Sequence, residues 1–183
     1  LIPGMLIKRA MKGQLGLLQA AKALQDEILN PVMSFDDDAG LLETELKLAR
    51  NAKKVALMVL GSAAQKYMME IQKQQEILMG CADVIMEAYQ METACLRAKK
   101  MAEKDGAEAA SKYIDAAGVF CNDAIQRVEA TAKNTLAGFA TGDELRMMLA
   151  ALKRFTKNNS PMNTIAARQR IADSLISANA YNF

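Results

Sequence analysis

The chain has 183 residues, of which 51% are hydrophobic and 24% charged, and its formal net charge is +2; these values indicate a globular domain rather than a disordered chain. Histidine is absent, which excludes Ser-His-Asp and Cys-His catalysis, zinc sites with histidine ligands and di-iron bundles built on Glu-x-x-His. Aromatic residues make up only 5% of the chain, and tryptophan is absent. Because strands favour β-branched and aromatic residues, this composition predicts an all-helical protein.

The first 29 residues carry apolar side chains at helical spacing, among them Ile7, Leu18 and Leu24. They predict one amphipathic helix, which Gly13 and Gly16 weaken. The charged residues before position 26 are all positive: Lys8, Arg9, Lys12 and Lys22. A basic amphipathic helix can lie on a membrane surface, but we expect this one to pack against another part of its own protein.

Residues 30–40 form a turn-rich connector. Pro31 ends the first helix, and Asp36, Asp37 and Asp38 precede the next one. A calcium-binding loop would also need a glycine and a distal glutamate, which are missing, so we expect these aspartates to cap the second helix. That helix should cover residues 41–67 and be followed by a break at 67–73.

The chain is organised around residues 74–104, a stretch without proline. Apolar residues recur there every seven positions in adjacent rows, which predicts a helix that other helices cover on most sides. The rows expected in the core hold Ile77, Val84, Met91 and Ala98; Cys81, Ala88 and Cys95; Leu78 and Ile85; and Ala82, Tyr89 and Leu96. The rows expected to face water hold Asp83, Gln90 and Arg97, and Gly80, Glu87 and Ala94.

Glu92 breaks this pattern, because it lies in the row of Leu78 and Ile85. An unpaired buried carboxylate is strongly destabilising, so we expect Glu92 to be buried and paired with a cation on an adjacent helix. Arg127 and Lys53 are both candidates. No second acid, histidine or metal-ligand set lies beside Glu92, so a structural role is favoured over a catalytic one, and the sequence offers no metal site.

Gly106 should end the central helix. We expect a fourth helix at 107–140, a shorter one to residue 155 with the capping box Thr141-Gly142-Asp143-Glu144 at its start, and a last one after a break at 158–161. Short connections favour neighbours that run up and down. The predicted fold is therefore an all-α, antiparallel up-and-down bundle with short additional helices.

Three cysteines are present. Cys81 and Cys95 lie on one predicted helix at a separation of about 21 Å, which is too long for a disulfide. Buried free thiols indicate a reducing compartment, so we expect a cytoplasmic location. No apolar run approaches the roughly 20 residues of a membrane-spanning helix, and no arginine-rich stripe indicates nucleic-acid binding.

The stretch QQEILMGCADVIMEAYQMETACLRAKK, residues 74–100, resembles the C-terminal helical domain of acyl-CoA dehydrogenases of the very-long-chain type. The similarity there rests on Gln75, Leu78, Ala82, Asp83, Tyr89, Met91, Glu92, Arg97 and Ala98. Further similar segments are Ile2-Pro3-Gly4-Met5-Leu6, Phe120-Cys121 with Ala124, Asn163-Thr164-Ile165-Ala166, Arg170-Ile171-Ala172 and the closing Phe183.

The resemblance implies a parent enzyme that uses FAD to remove two hydrogens from the α and β carbons of a fatty acyl-CoA, a step of fatty acid β-oxidation. The family's catalytic glutamate, in a Glu-Gly-Thr motif, would precede Leu1. The chain is therefore interpreted as an inactive fragment, and no catalytic or cofactor-binding residue is carried over to it. Asp83, Glu92 and Arg97 are expected to be structural.

The same resemblance suggests a division of the chain. Residues 1–30 would complete a catalytic-domain helix and add a connecting amphipathic helix, 31–40 would be a linker, and 41–183 would form the C-terminal bundle. The expected partners are the enzyme's own catalytic domain and further copies in a homo-oligomer. A stand-alone ligand-binding or dimerisation module and a peripheral membrane module are the alternatives from other functional classes.

Overall fold

The computed structural model describes residues 1–30 and 40–183, and this part of the chain contains seven α-helices and no strand. The helices are α1 (Ile2–Met11), α2 (Leu17–Leu29), α3 (Glu43–Tyr67), α4 (Gln75–Asp105), α5 (Ser111–Ala137), α6 (Gly142–Thr156) and α7 (Thr164–Ala178). A short 3-10 helix, Met68–Lys73, joins α3 to α4. The all-α prediction is confirmed, whereas the predicted stop at Pro31 and the cap by aspartates 36–38 fall outside the described residues.

Helices α3, α4 and α5 form the centre of the bundle, and each packs against the other two. Their facing positions are apolar at helical spacing, so each helix contributes a continuous stripe to one core. The largest side chains with no more than 1% exposure on these helices are Val55, Val59, Val84, Met91, Val128 and Leu136. Helix α6 closes the core against α3 and α5 through Leu152 and Phe155.

The remaining helices attach to the outside of this centre. Helix α7 lies on α5, where Arg170 makes two hydrogen bonds of 2.8 and 2.6 Å to the carboxylate of Asp115. Helix α2 lies on α3, where Lys54 pairs with Glu27 at 2.7 Å, and α1 contacts α4. Among the helices at 1–30 and 40–183, none combines the length and apolar character needed to cross a bilayer.

Two local predictions are corrected. The first 29 residues form two helices rather than one, because the chain turns at residues 12–16 and Gly13 adopts a φ of +69°. Thr141 stands at the start of α6, but its side chain makes no capping hydrogen bond. Gly142 has a φ of +59°, so the first turn of α6 lacks the helical geometry that a capping box requires.

The buried side of α4 also differs from the prediction. Val84, Ala88 and Cys95 are buried as expected, but Tyr89 is 66% and Leu96 53% exposed. Gly80, which was expected to face water, is buried against α5. A Cβ atom placed on Gly80 would lie only 2.0 Å from Oγ1 of Thr135. The absence of a side chain at Gly80 therefore allows α5 to come close to α4 at this point.

Candidate functional site

The surface groove between α4 and α5 is the candidate site. It consists of two neighbouring depressions of about 340 and 360 Å³, and Gln90 lines both of them. The other lining residues of the first are Thr93, Ala94, Arg97 and Phe120; those of the second are Asp83, Met86, Glu87, Arg127, Ala130 and Thr131. The groove thus includes two of the residues predicted to be structural, Asp83 and Arg97, but not Glu92.

An ion pair between Glu87 and Arg127 crosses the groove. The guanidinium of Arg127 donates to both carboxylate oxygens of Glu87, at 2.6 and 2.9 Å, and lies 5.5 Å from the centre of the Phe120 ring. The hydrogen bond to Glu87 raises the pKa of Arg127 above its ordinary value, against the opposing effect of desolvation. The two charges therefore neutralise each other, and their hydrogen bonds link α4 to α5.

This pair was not predicted from the sequence, which placed Glu87 in water and offered Arg127 as a partner of Glu92. A signal was nevertheless present. Glu87 shares its row with Gly80 and Ala94, and small residues in a row allow a neighbouring helix to come close. The side chain of Glu87 is accordingly only 20% exposed.

Glu92 pairs with Lys53 of α3, one of the two cations proposed for it. The prediction that Glu92 is buried is wrong, since its side chain is 34% and that of Lys53 48% exposed. Its row lies at the margin of the contact between α3 and α4, where the long lysine side chain reaches the carboxylate from solvent. A bridge in this position ties two helices together but leaves no desolvated acid for proton transfer.

Asp83 and Arg97 lie at the two ends of the groove and are both exposed. Within the described part of the chain, neither side chain makes a hydrogen bond or an ion pair. Their predicted structural role therefore remains a prediction. They are the two charged groups of the groove that a partner could still bind.

The three cysteines are free thiols that lie fully buried in the core. The Sγ atoms of Cys95 and Cys121 are 3.5 Å apart, and both residues are fully buried. The hydrogen bond with Cys95, and then desolvation, raise the pKa of Cys121 above its ordinary value. Burial raises the pKa of Cys81 to about 12. Thiols in this condition are neutral and poor nucleophiles at physiological pH.

The groove does not fit a flavin dinucleotide. The diphosphate of such a cofactor needs several cations or free backbone N–H groups. Among the described residues, the groove presents the carboxylates of Asp83 and Glu87, a guanidinium already bound by Glu87, and one unpaired cation, Arg97, at its far end. In residues 1–30 and 40–183, no cluster of three or more Cys, Asp or Glu side chains is placed to hold a metal ion. No residue of this chain is assigned to a cofactor.

Comparisons with known proteins agree on one family. The family described as "Acyl-CoA dehydrogenase, C-terminal domain" matches residues 51–154. A probable acyl-CoA dehydrogenase of Bacillus subtilis (strain 168) is 38% identical over 181 residues, which are 99% of this chain and 30% of that protein. The crystal structure of an acyl-CoA dehydrogenase from Bacillus anthracis in complex with FAD superposes with a TM-score of 0.92 at 40% identity. The match covers 100% of this chain and 30% of the Bacillus anthracis chain.

The chain thus spans about 30% of the length of the relatives it matches. The expectation of the very-long-chain type is not addressed by these matches and stays a prediction. Because the family match covers more than half of the chain, the chain belongs to the acyl-CoA dehydrogenase family and contains its C-terminal domain.

Proposed function

We propose that this chain is the non-catalytic C-terminal helical domain of an FAD-dependent acyl-CoA dehydrogenase that acts on fatty acyl-CoA in β-oxidation. The observation that carries the proposal is the likeness over the whole chain to a Bacillus anthracis enzyme bound to FAD, of which it covers only 30%. The part of such an enzyme that this chain does not span would then hold the flavin and the substrate.

The chemistry of the chain supports this division. Dehydrogenation of a thioester needs a base at the α carbon and a hydride acceptor at the β carbon. Two of the acids lying between the central helices are paired with cations, Glu87 with Arg127 and Glu92 with Lys53. Its thiols are buried in the core. These groups stabilise contacts between helices, which is what a scaffold requires.

The outer side of α1 and α2 is the surface proposed to meet the catalytic domain. Met5, Met11 and Leu18 are 53%, 70% and 68% exposed, and a contact with the catalytic domain would cover them. The division into a connecting segment at 1–30, a linker at 31–40 and a bundle at 41–183 belongs to the same proposal. So does a cytoplasmic location, which the three free cysteines support.

Visible absorption tests the proposal. The purified 183-residue chain should be colourless and should not bind added FAD, whereas the full-length protein should be yellow and release FAD on denaturation. The matched comparison is the full-length protein with Arg97→Ala, a groove residue, which should keep its flavin. Tight binding of FAD by the chain alone, or loss of flavin in the Arg97→Ala protein, would contradict the assignment of the cofactor to the other part of the enzyme.

A further inference from the structure

Helix α4 has a second apolar stripe, on the side that faces away from the core. Its positions alternate at spacings of three and four and comprise Met79, Ala82, Met86, Tyr89, Thr93 and Leu96; we call this stripe the α4 seam. The four large apolar side chains of the seam, Met79, Met86, Tyr89 and Leu96, are 64%, 39%, 66% and 53% exposed. Apolar residues at this spacing are the pattern by which two helices pack as a coiled coil.

A row of exposed polar residues runs beside the seam, seven positions apart. This charge row consists of Glu76, Asp83, Gln90, Arg97 and Lys104. The two residues of the row that precede Gln90 are acids, Glu76 and Asp83, and the two that follow it are bases, Arg97 and Lys104. The sign of the charge therefore changes at Gln90. When two copies of the row lie antiparallel, each acid of one copy faces a base of the other.

The helix dipole does not explain the inner charges of this row. Acids near the start of a helix and bases near its end are favoured, but the effect fades within the first and last turn. Asp83 lies eight residues after Gln75, where α4 begins, and Arg97 lies eight residues before Asp105, where it ends. Both are about two turns inside the helix, and neither has a partner among the described residues.

We propose that the α4 seam binds a second copy of this chain, with the two α4 helices antiparallel and the two copies of Gln90 facing each other beside the two-fold axis. In that arrangement Asp83 faces Arg97 of the second copy, and Glu76 faces Lys104 of the second copy, each pair occurring twice. Along the seam, Met86 faces Leu96 of the second copy and Tyr89 faces Thr93 of the second copy. A two-fold axis requires such a self-complementary surface.

The size of the contact sets the expected strength. The seam from Met79 to Leu96 is about 26 Å long at 1.5 Å per residue, and a single pair of helices buries less surface than a standard interface. We therefore expect a dimer with a dissociation constant on the order of micromolar. The charge row should determine the antiparallel orientation more than the affinity.

Sedimentation velocity on the 183-residue chain, with charge-reversed variants, tests the dimer. The unmodified chain should pass from monomer to dimer below about 300 µM, and Asp83→Arg and Arg97→Asp should each weaken dimerisation by about tenfold or more, because each places like charges together twice. The double variant restores opposite charges and should return to within about threefold of the unmodified chain. Asp143→Arg and Arg146→Asp reverse an exposed pair on α6 and serve as controls that should dimerise normally.

A second variant examines the apolar contact, since Leu96→Lys should abolish the dimer while circular dichroism shows an unchanged helix content. A chain that is monomeric at about 300 µM, far above a micromolar dissociation constant, would overturn the proposal. So would a dimer that the charge reversals leave unchanged, or a double variant no better than the single ones. None of these outcomes bears on flavin binding by the full-length protein, so failure of the dimer and failure of the dehydrogenase assignment are separable.

Discussion

The contact between α4 and α5 at Gly80 gives the sharpest test of the packing. In Gly80→Ala, the new Cβ would lie 2.0 Å from Oγ1, 3.2 Å from Cβ and 3.3 Å from Cγ2 of Thr135. Rotation of the threonine about χ1 offers limited relief, because β-branched side chains have few rotamers in a helix and Cβ of Thr135 stays at 3.2 Å in every rotamer. The hydroxyl would also lose its 2.8 Å hydrogen bond to the carbonyl of Thr131.

Two opposing effects decide the magnitude. Alanine is better than glycine inside a helix by about 1 kcal/mol, whereas forcing extra volume into a packed contact costs about 1–3 kcal/mol. At a distance of 2.0 Å from a side chain held by the backbone of α5, the steric effect should dominate. We expect Gly80→Ala to lower the free energy of unfolding by about 1–3 kcal/mol.

Urea unfolding followed by circular dichroism measures the change, and the chain supplies a matched control. At Gly61 in α3, the nearest atom to a new Cβ would be Cβ of Ala21 at 3.8 Å, an ordinary van der Waals contact. Gly61→Ala should therefore stabilise the protein by up to about 1 kcal/mol. In the double variant Gly80→Ala/Thr135→Ala, part of the loss should be recovered. Equal effects of the two glycine substitutions, or no recovery, would refute the close contact.

Three further outcomes follow from burial and charge. Met91→Ala removes a fully buried side chain and should lower the free energy of unfolding in urea by about 2–5 kcal/mol. Ile85→Ala changes a partly buried position and should lower it clearly less. Equal losses would contradict the observed orientation of α4. Glu92→Gln breaks a half-exposed bridge to Lys53 and should cost less than about 1 kcal/mol, so a loss of several kcal/mol in the same assay would show that the acid is desolvated after all. Burial raises the pKa of Cys81 from 9.0 to about 12, so the thiol ionises at a lower pH in the unfolded chain than in the folded one. The free energy of unfolding should therefore fall as the pH rises from about 9 toward 12, and it should fall less steeply in Cys81→Ala. Identical slopes for the two proteins would contradict this.

Local sequence signals predicted the helices well. The central helix was expected at 74–104 and is found at Gln75–Asp105, because Gly106 ends it and no proline interrupts it. The break at 67–73 corresponds to the 3-10 helix Met68–Lys73. These features depend on residues close together in the chain, and such residues carry their own conformational preferences.

Contacts between distant residues could not be read in the same way. Heptad rows counted Tyr89 and Leu96 as core because they are apolar, and counted Gly80 as exposed because it has no side chain to bury. The structure reverses both assignments, since the approach of α5 at Thr135 fixes which side of α4 is covered. Glu87 was likewise expected to face water and Glu92 to be buried, whereas their side chains are 20% and 34% exposed and pair with Arg127 and Lys53 on neighbouring helices.

The division of labour between this chain and the rest of the enzyme is the central claim, and an activity assay tests it most directly. Reduction of an electron-accepting dye would be followed over a series of fatty acyl-CoA chain lengths, with FAD present, for the 183-residue chain and for the full-length protein. We expect turnover by the full-length protein and none by the chain alone. Acyl-CoA-dependent dye reduction by the chain alone, or its absence in the flavin-loaded full-length protein at every chain length, would contradict it.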